Sequence, residues 1–139
     1  MNGIGRILLV EDDPKDIDLT LRALAQYNLA NEVVVARDGE EALDYLFHRG
    51  DFETRSTDNP AVLLLDLKLP QVPGLDVLKW MRSQPALVEI PVVILSSSKH
   101  EEDVSTAYGL GANAYLVKPS DRGQLQRIAQ MVALVKKSV

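Results

Sequence analysis

Acidic, hydroxyl and basic residues stand directly behind short apolar runs in this sequence, and chemistry is most readily placed there. Glu11-Asp12-Asp13 follows Ile7–Val10, Asp66 follows Val62–Leu65, Ser96-Ser97-Ser98 follows Val92–Leu95, and Lys118-Pro119 follows Tyr115–Val117. In an open α/β sheet, ligands bind at the carboxyl ends of strands near the point where strand order reverses, so neighbouring strands would gather these residues on one rim. Crowded carboxylates repel unless a cation neutralises them or some are protonated. A hard divalent ion suits this donor set, and magnesium takes one or two carboxylates, keeps waters and accepts phosphoryl oxygens. Asp66 is the natural nucleophile, because it ends a buried run and an aspartate attacking phosphorus forms an acyl phosphate. Phosphoryl transfer asks mainly for positioning and for positive charge on the equatorial oxygens. The ion and Lys118 would supply that charge, and Ser96 would hydrogen-bond a phosphoryl oxygen.

The elements that must hold these residues follow from periodicity. The four runs named above read as strands buried on both faces, and Val33–Val35 is a weaker fifth. Between and after them lie segments with helical spacing: Ile17, Leu21 and Leu24; Ala42, Leu43 and Leu46; Val77, Leu78 and Met81; Val104, Ala107 and Tyr108; and Leu125, Ile128, Ala129, Val132 and Val135. Strands alternating with helices imply a (βα)5 domain with a mostly parallel sheet. Asp13-Pro14 opens the first helix, Pro73-Gly74 precedes the third, and Ser120-Asp121 offers caps for the fifth. The polar stretch His48 to Pro60 reads as a solvated surface loop, ahead of the alternative of a partner-contacting loop. His48 and His100 read as surface residues.

Composition narrows the function classes. The chain has 139 residues, no cysteine, 25% charged and 46% hydrophobic residues and a net charge of −5. That length supports one domain with a real core, expected over residues 1–139, and its last residues, Lys136-Lys137-Ser138-Val139, read as too short to link an output domain. Without cysteine there is no disulfide framework, thiolate zinc site, iron–sulfur cluster or thiol nucleophile. No apolar run approaches the roughly 18 residues of a membrane span. Early acids leave no room for a signal-peptide core, so the expected compartment is the cytoplasm. An acidic chain also lacks the electrostatic footprint of a nucleic-acid binder.

Val10-Glu11-Asp12-Asp13, Leu65-Asp66 with Leu69-Pro70 and Gly74 downstream, Ser96-Ser97, and Tyr115-Leu116-Val117-Lys118-Pro119 together resemble the receiver domain of bacterial two-component response regulators. The resemblance runs from Arg6 to Val135 in order and spacing. It implies a flavodoxin-like (βα)5 three-layer sandwich with strand order 2-1-3-4-5, phosphorylated by a sensor histidine kinase in the presence of Mg2+. By position Asp66 matches the phosphoacceptor, and Glu11 and Asp12 match the acidic pair, with Asp12 the direct metal ligand. Lys68 falls where the family offers a backbone carbonyl to the metal, and its side chain would tune the phosphoryl lifetime with a sign that the sequence does not set. Ser96 matches the switch hydroxyl, Tyr115 the switch aromatic and Lys118 the family lysine. The peptide before Pro119 is expected to be cis. The long insert before strand 3, with Ala42-Leu43-Asp44-Tyr45-Leu46, resembles the free-standing receivers that serve bacterial phytochrome kinases. Homodimerisation stays open.

Each assignment competes with a plainer one. Glu11-Asp12-Asp13 alone would equally be a helix N-terminus, where acids favour the dipole, and Asp13 reads better as a cap than as a ligand. Lys118 alone would be a snorkelling lysine, and its place opposite the acids reverses that. Ser97 and Ser98 read as turn or cap residues, and Tyr115 serves equally as core aromatic or as switch. Gly109-Leu110-Gly111-Ala112-Asn113-Ala114 fits a dinucleotide fingerprint but ends a helix instead of opening one, so it is a helix stop. Two other functions compete with a switch: a magnesium-dependent phosphatase with an aspartyl-phosphate intermediate, and a flavodoxin-type electron carrier. The first wants an acid two residues after the nucleophile, where Lys68 stands. The second needs a phosphate cradle where Glu11-Asp12-Asp13 would repel phosphate.

Overall fold

The computed structural model describes residues 6–29, 32–54, 59–118, 126, 127 and 130. Five strands form one parallel sheet: β1 (Ile7–Val10), β2 (Val33–Ala36), β3 (Val62–Asp66), β4 (Val92–Ser96) and β5 (Ala114–Val117), in the order β2-β1-β3-β4-β5. Among the described residues four α-helices connect them: α1 (Pro14–Ala25), α2 (Gly39–Leu46), α3 (Gly74–Arg82) and α4 (Glu101–Gly109). The fifth helix expected over 125–135, its Ser120-Asp121 cap and the cis peptide expected before Pro119 lie largely or wholly outside the described residues.

The core divides by the period-2 alternation of the central strands. Leu8, Val10, Leu63, Leu65, Val92 and Ile94 face α2, α3 and α4, whose Leu43, Leu46, Val77, Leu78, Met81 and Ala107 join the same cluster. Ile7, Leu9, Val62, Leu64, Val93 and Leu95 face the other way, against Ile17 and Leu24 of α1. Both faces of β1, β3 and β4 are therefore covered, which explains their continuous apolar runs. β5 is half-buried along its length, and among the described residues it is an edge strand paired with β4 alone.

Local chemistry sets the helix ends. Asp13 caps α1 by accepting from Lys15 N at 2.9 Å, and Pro14 occupies the first position, where its missing N–H is not needed. Asp38 caps α2 by accepting from Glu41 N at 2.7 Å. α4 stops at Gly109, and Gly111 follows with φ +88°, as a glycine-rich helix stop requires.

Three expectations need correction. The stretch after α2 is not simply solvated: Gly50–Phe52 form a 3-10 turn, and Phe52 stacks edge-on against Tyr45 at 5.1 Å between centroids, tying the segment to the core. Tyr108, expected on the buried face of α4, is 49% exposed, and Ala107 is the buried residue of that helix. His48 is half-buried at the end of α2, with φ +55°, while His100 is exposed.

Candidate functional site

Strand register assembles the site. Val10 pairs with Leu65, so the next residues, Glu11 and Asp66, emerge side by side where the order reverses between β1 and β3. Asp66 pairs with Leu95 and Ser96 with Val117, which brings the ends of β4 and β5 to the same rim. Lys118 follows Val117, and its N–H donates to Ser96 O at 2.6 Å.

At that rim Lys118 is the hub. Its ammonium pairs with Glu11 Oε1, with Asp16 Oδ2 at 3.0 Å and with Asp66 Oδ2 at 3.3 Å. The side chains of Glu11 and Asp66 are 2% and 7% exposed, so the ion pairs sit largely out of water. Glu11 Oε2 accepts from Asp13 N at 3.2 Å, and Asp66 Oδ1 accepts from Lys68 N at 3.1 Å. Burial is the largest influence on Glu11 and, with the Asp66 charge, outweighs the Lys118 bond, so its carboxyl is pushed up to about 7. For Lys118 burial works toward a lower value, but Glu11, Asp66 and Asp16 together raise it above the ordinary lysine range.

The donor set suits a hard divalent cation. Carboxylate oxygens of Glu11, Asp12 and Asp66 all lie within 4.8 Å of one another, with Asp12 exposed and the other two buried. Oxygen-only donors of net negative charge, with an open side for water, match magnesium or manganese better than a soft metal. With Asp13, Asp16, Lys68, Ser97 and Lys118 they line one open pocket.

Glu11, Asp12, Asp66, Lys68 and Lys118 of the sequence reading therefore meet in one place. Ser96 stands at the end of β4 but is fully buried, and its Oγ accepts from Ser98 N at 3.1 Å; Ser97 lines the pocket. Tyr115 lies outside the pocket and donates its hydroxyl to Ser98 O at 3.0 Å. Ser98 is buried, with its hydroxyl donating to Asp103 and accepting from His100 N at 3.3 Å, which ties the β4–α4 loop to the start of α4. Asp16 was missed. The available signal was its place in the first turn of α1, three residues after the cap Asp13, which keeps it close to the carboxyl end of β1.

The family model for the response regulator receiver domain matches residues 7–130. Response regulator Rcp1 of Synechocystis sp. is 37% identical over 124 residues, 89% of this chain and 83% of its own length. A crystal structure of the Mn2+-bound form of Rcp1 matches with a TM-score of 0.83 at 34% identity, covering 97% of this chain and 96% of that one. The bacteriophytochrome response regulator RtBRR is 54% identical, with a TM-score of 0.82 over 93% of this chain and 77% of its own. A phosphorylated cyanobacterial phytochrome response regulator, RcpA, is 40% identical, with a TM-score of 0.84 over 97% of this chain and 95% of its own.

Proposed function

The chain belongs to the response regulator receiver domains, and on that premise we propose that Asp66 is the residue on which this phosphorylation-dependent signalling switch accepts its phosphoryl group. The observation that supports this most directly is that Lys118 bonds an oxygen of the same buried Asp66 whose carboxylate converges with Glu11 and Asp12. Mg2+ is the ion we assign to the acidic trio, with Asp12 and Asp66 as ligands, Glu11 in support and the Lys68 carbonyl as a further donor. When bound, it would neutralise charge on the phosphoryl oxygens.

The residues of the chain divide the work. Lys68 N–H holds one Asp66 oxygen and leaves the carboxylate fixed in orientation. Lys118 offers positive charge that lets an anionic donor approach an acidic pocket. Ser96 is the hydroxyl that would turn toward the phosphoryl group, giving up its bond from Ser98 N. Tyr115, held by the carbonyl of that same Ser98, would follow, and the face formed by α4 and β5 would change.

The phosphodonor is a sensor histidine kinase, and the likeness to RtBRR and RcpA supports one of the bacterial phytochrome kind, acting in the cytoplasm. The chain's own chemistry is confined to transfer of the phosphoryl group onto Asp66 and its hydrolytic loss. No helix among the described residues is long and apolar enough to cross a membrane. Neither DNA nor RNA is a partner on the acidic charge balance, and sizing with and without phosphorylation tests for a homodimer.

Intact mass after incubation with Mg2+ and acetyl phosphate tests the assignment. The expected result is the mass of one added phosphoryl group in the native chain and none in Asp66→Asn; equal gain in both would overturn it.

A further inference from the structure

We propose that Asp16 is a positioning residue that holds Lys118 in the unphosphorylated protein and yields it to the phosphoryl group, so that it restrains phosphorylation of Asp66. The inference rests on the functional reading above. An ammonium has three N–H donors and no acceptor. Lys118 has three carboxylate partners, Glu11, Asp16 and Asp66, and so has no N–H to spare for an incoming phosphoryl oxygen. One partner must be released or shared.

Exposure decides which one. Releasing Glu11 would strand a carboxylate whose side chain is 2% exposed, with no water to replace the lost bond. Asp66 is the reacting group itself. Asp16 is 32% exposed and lines the open pocket, so water re-solvates it when the ammonium leaves. Its carboxylate is therefore the exchangeable partner. It competes with the phosphoryl oxygens for the same charge, and removing it should favour the phosphorylated arrangement.

The reaction that reports on this is balanced without other reagents. An Asp66 oxygen bonds the phosphorus of acetyl phosphate as the phosphorus–oxygen bond to acetate breaks, and acetate leaves with the electron pair. At saturating Mg2+, Asp16→Asn and Asp16→Ala are expected to raise the rate of this transfer about two- to fivefold, the range of a partly exposed ion pair. Asp16→Glu, which restores a carboxylate, is expected to return the rate toward that of the native chain. Asp13→Asn is the charge control: it removes one negative charge from the same pocket rim, keeps an Asn cap on α1 and touches no Lys118 atom. Its acceleration should be less than half that of Asp16→Asn.

A native chain that takes no phosphoryl group overturns the proposed function and this inference together. A native chain phosphorylated as fast as Asp16→Asn and Asp16→Ala overturns only the inference, and so does Asp13→Asn matching Asp16→Asn.

Discussion

Lys118 Nζ and Asp66 Oδ2 lie 3.3 Å apart although 52 residues separate them in the chain. The sheet order puts β3 and β5 on either side of β4, and their carboxyl ends share one rim. Lys118 joins three carboxylates that would otherwise repel, two of them buried. Lys118→Ala should therefore cost stability as well as chemistry. Breaking a largely buried pair from one side leaves uncompensated charge, and with solvent at the Asp16 edge the expected loss is about 2–3 kcal/mol in metal-free urea denaturation at pH 7. Transfer from acetyl phosphate should fall at least about tenfold in the folded variant, the effect of one lost charge contact in phosphoryl transfer. Unchanged transfer would remove Lys118 from the site.

Glu11 makes metal-free stability depend on pH with a definite sign. Its carboxyl is raised from 4.5 in a model peptide to about 7 in the folded chain, chiefly by burial. Between those values the folded state keeps a proton that the unfolded chain has lost. The contribution of Glu11 is thus fully present below pH 4.5 and is lost as pH rises through about 7. Glu11→Gln should flatten this slope, by up to about one proton per molecule. Because Mg2+ competes with protons at carboxylates, its stabilising effect on the native chain should be larger at pH 8 than at pH 5. Thermal unfolding across pH with and without Mg2+ checks both statements, and equal Mg2+ effects at the two pH values would contradict the second.

The rim was legible in the sequence because a polar residue directly after a buried strand has few plain explanations. Asp66 is the clearest case: four apolar residues precede it, and the strand proves to include it. The same logic found Glu11 and Lys118. It failed for Asp16, which sits in a helix, where an acid in the first turn already has an ordinary reason in the dipole. It chose Ser96 over Ser97 for the hydroxyl, yet Ser97 lines the pocket and Ser96 is fully buried, since adjacent residues at a strand end point to opposite sides and which of the two reaches the pocket depends on backbone the sequence does not specify. Phe52 and Tyr108 went astray for a related reason. One aromatic in a polar stretch and one at helical spacing are assigned by what packs on them, and the contacts of Phe52 with Tyr45 are tertiary.

Gly74 fixes how closely α3 approaches the acceptor. A Cβ there would stand 2.3 Å from Asp66 O and 2.7 Å from Leu67 Cα, while Gly74 N donates to Leu67 O at 2.9 Å. Backbone atoms cannot swing aside as a flexible side chain would. Gly74→Ala should therefore push α3 away or displace the Asp66 peptide, costing about 2–3 kcal/mol as an overpacking change. Because the displaced atoms belong to Asp66 and Leu67, phosphorylation should slow in proportion more than in a surface variant of equal stability. Denaturation and acetyl phosphate kinetics on Gly74→Ala beside Trp80→Ala, an exposed position on the same helix, measure the difference.

Arg82, remote from the pocket, offers a contrasting test of stability without chemistry. Its guanidinium donates to Leu110 O and Gly111 O, each at 3.0 Å, to Ile90 O at 3.3 Å and to Val88 O. One side chain at the end of α3 thus satisfies carbonyls before β4 and beyond the end of α4. Burial lowers its pKa, but arginine remains charged throughout the working range. Lysine cannot reproduce this fork, since its three donors radiate from one atom. Arg82→Lys should cost about 2 kcal/mol, and hydrogen exchange at the end of α4 should quicken before that of β1 and β3. Phosphorylation of Asp66 should persist at native rates under conditions where the variant is folded. A loss of phosphorylation without loss of stability would show that the end of α4 is coupled to the site.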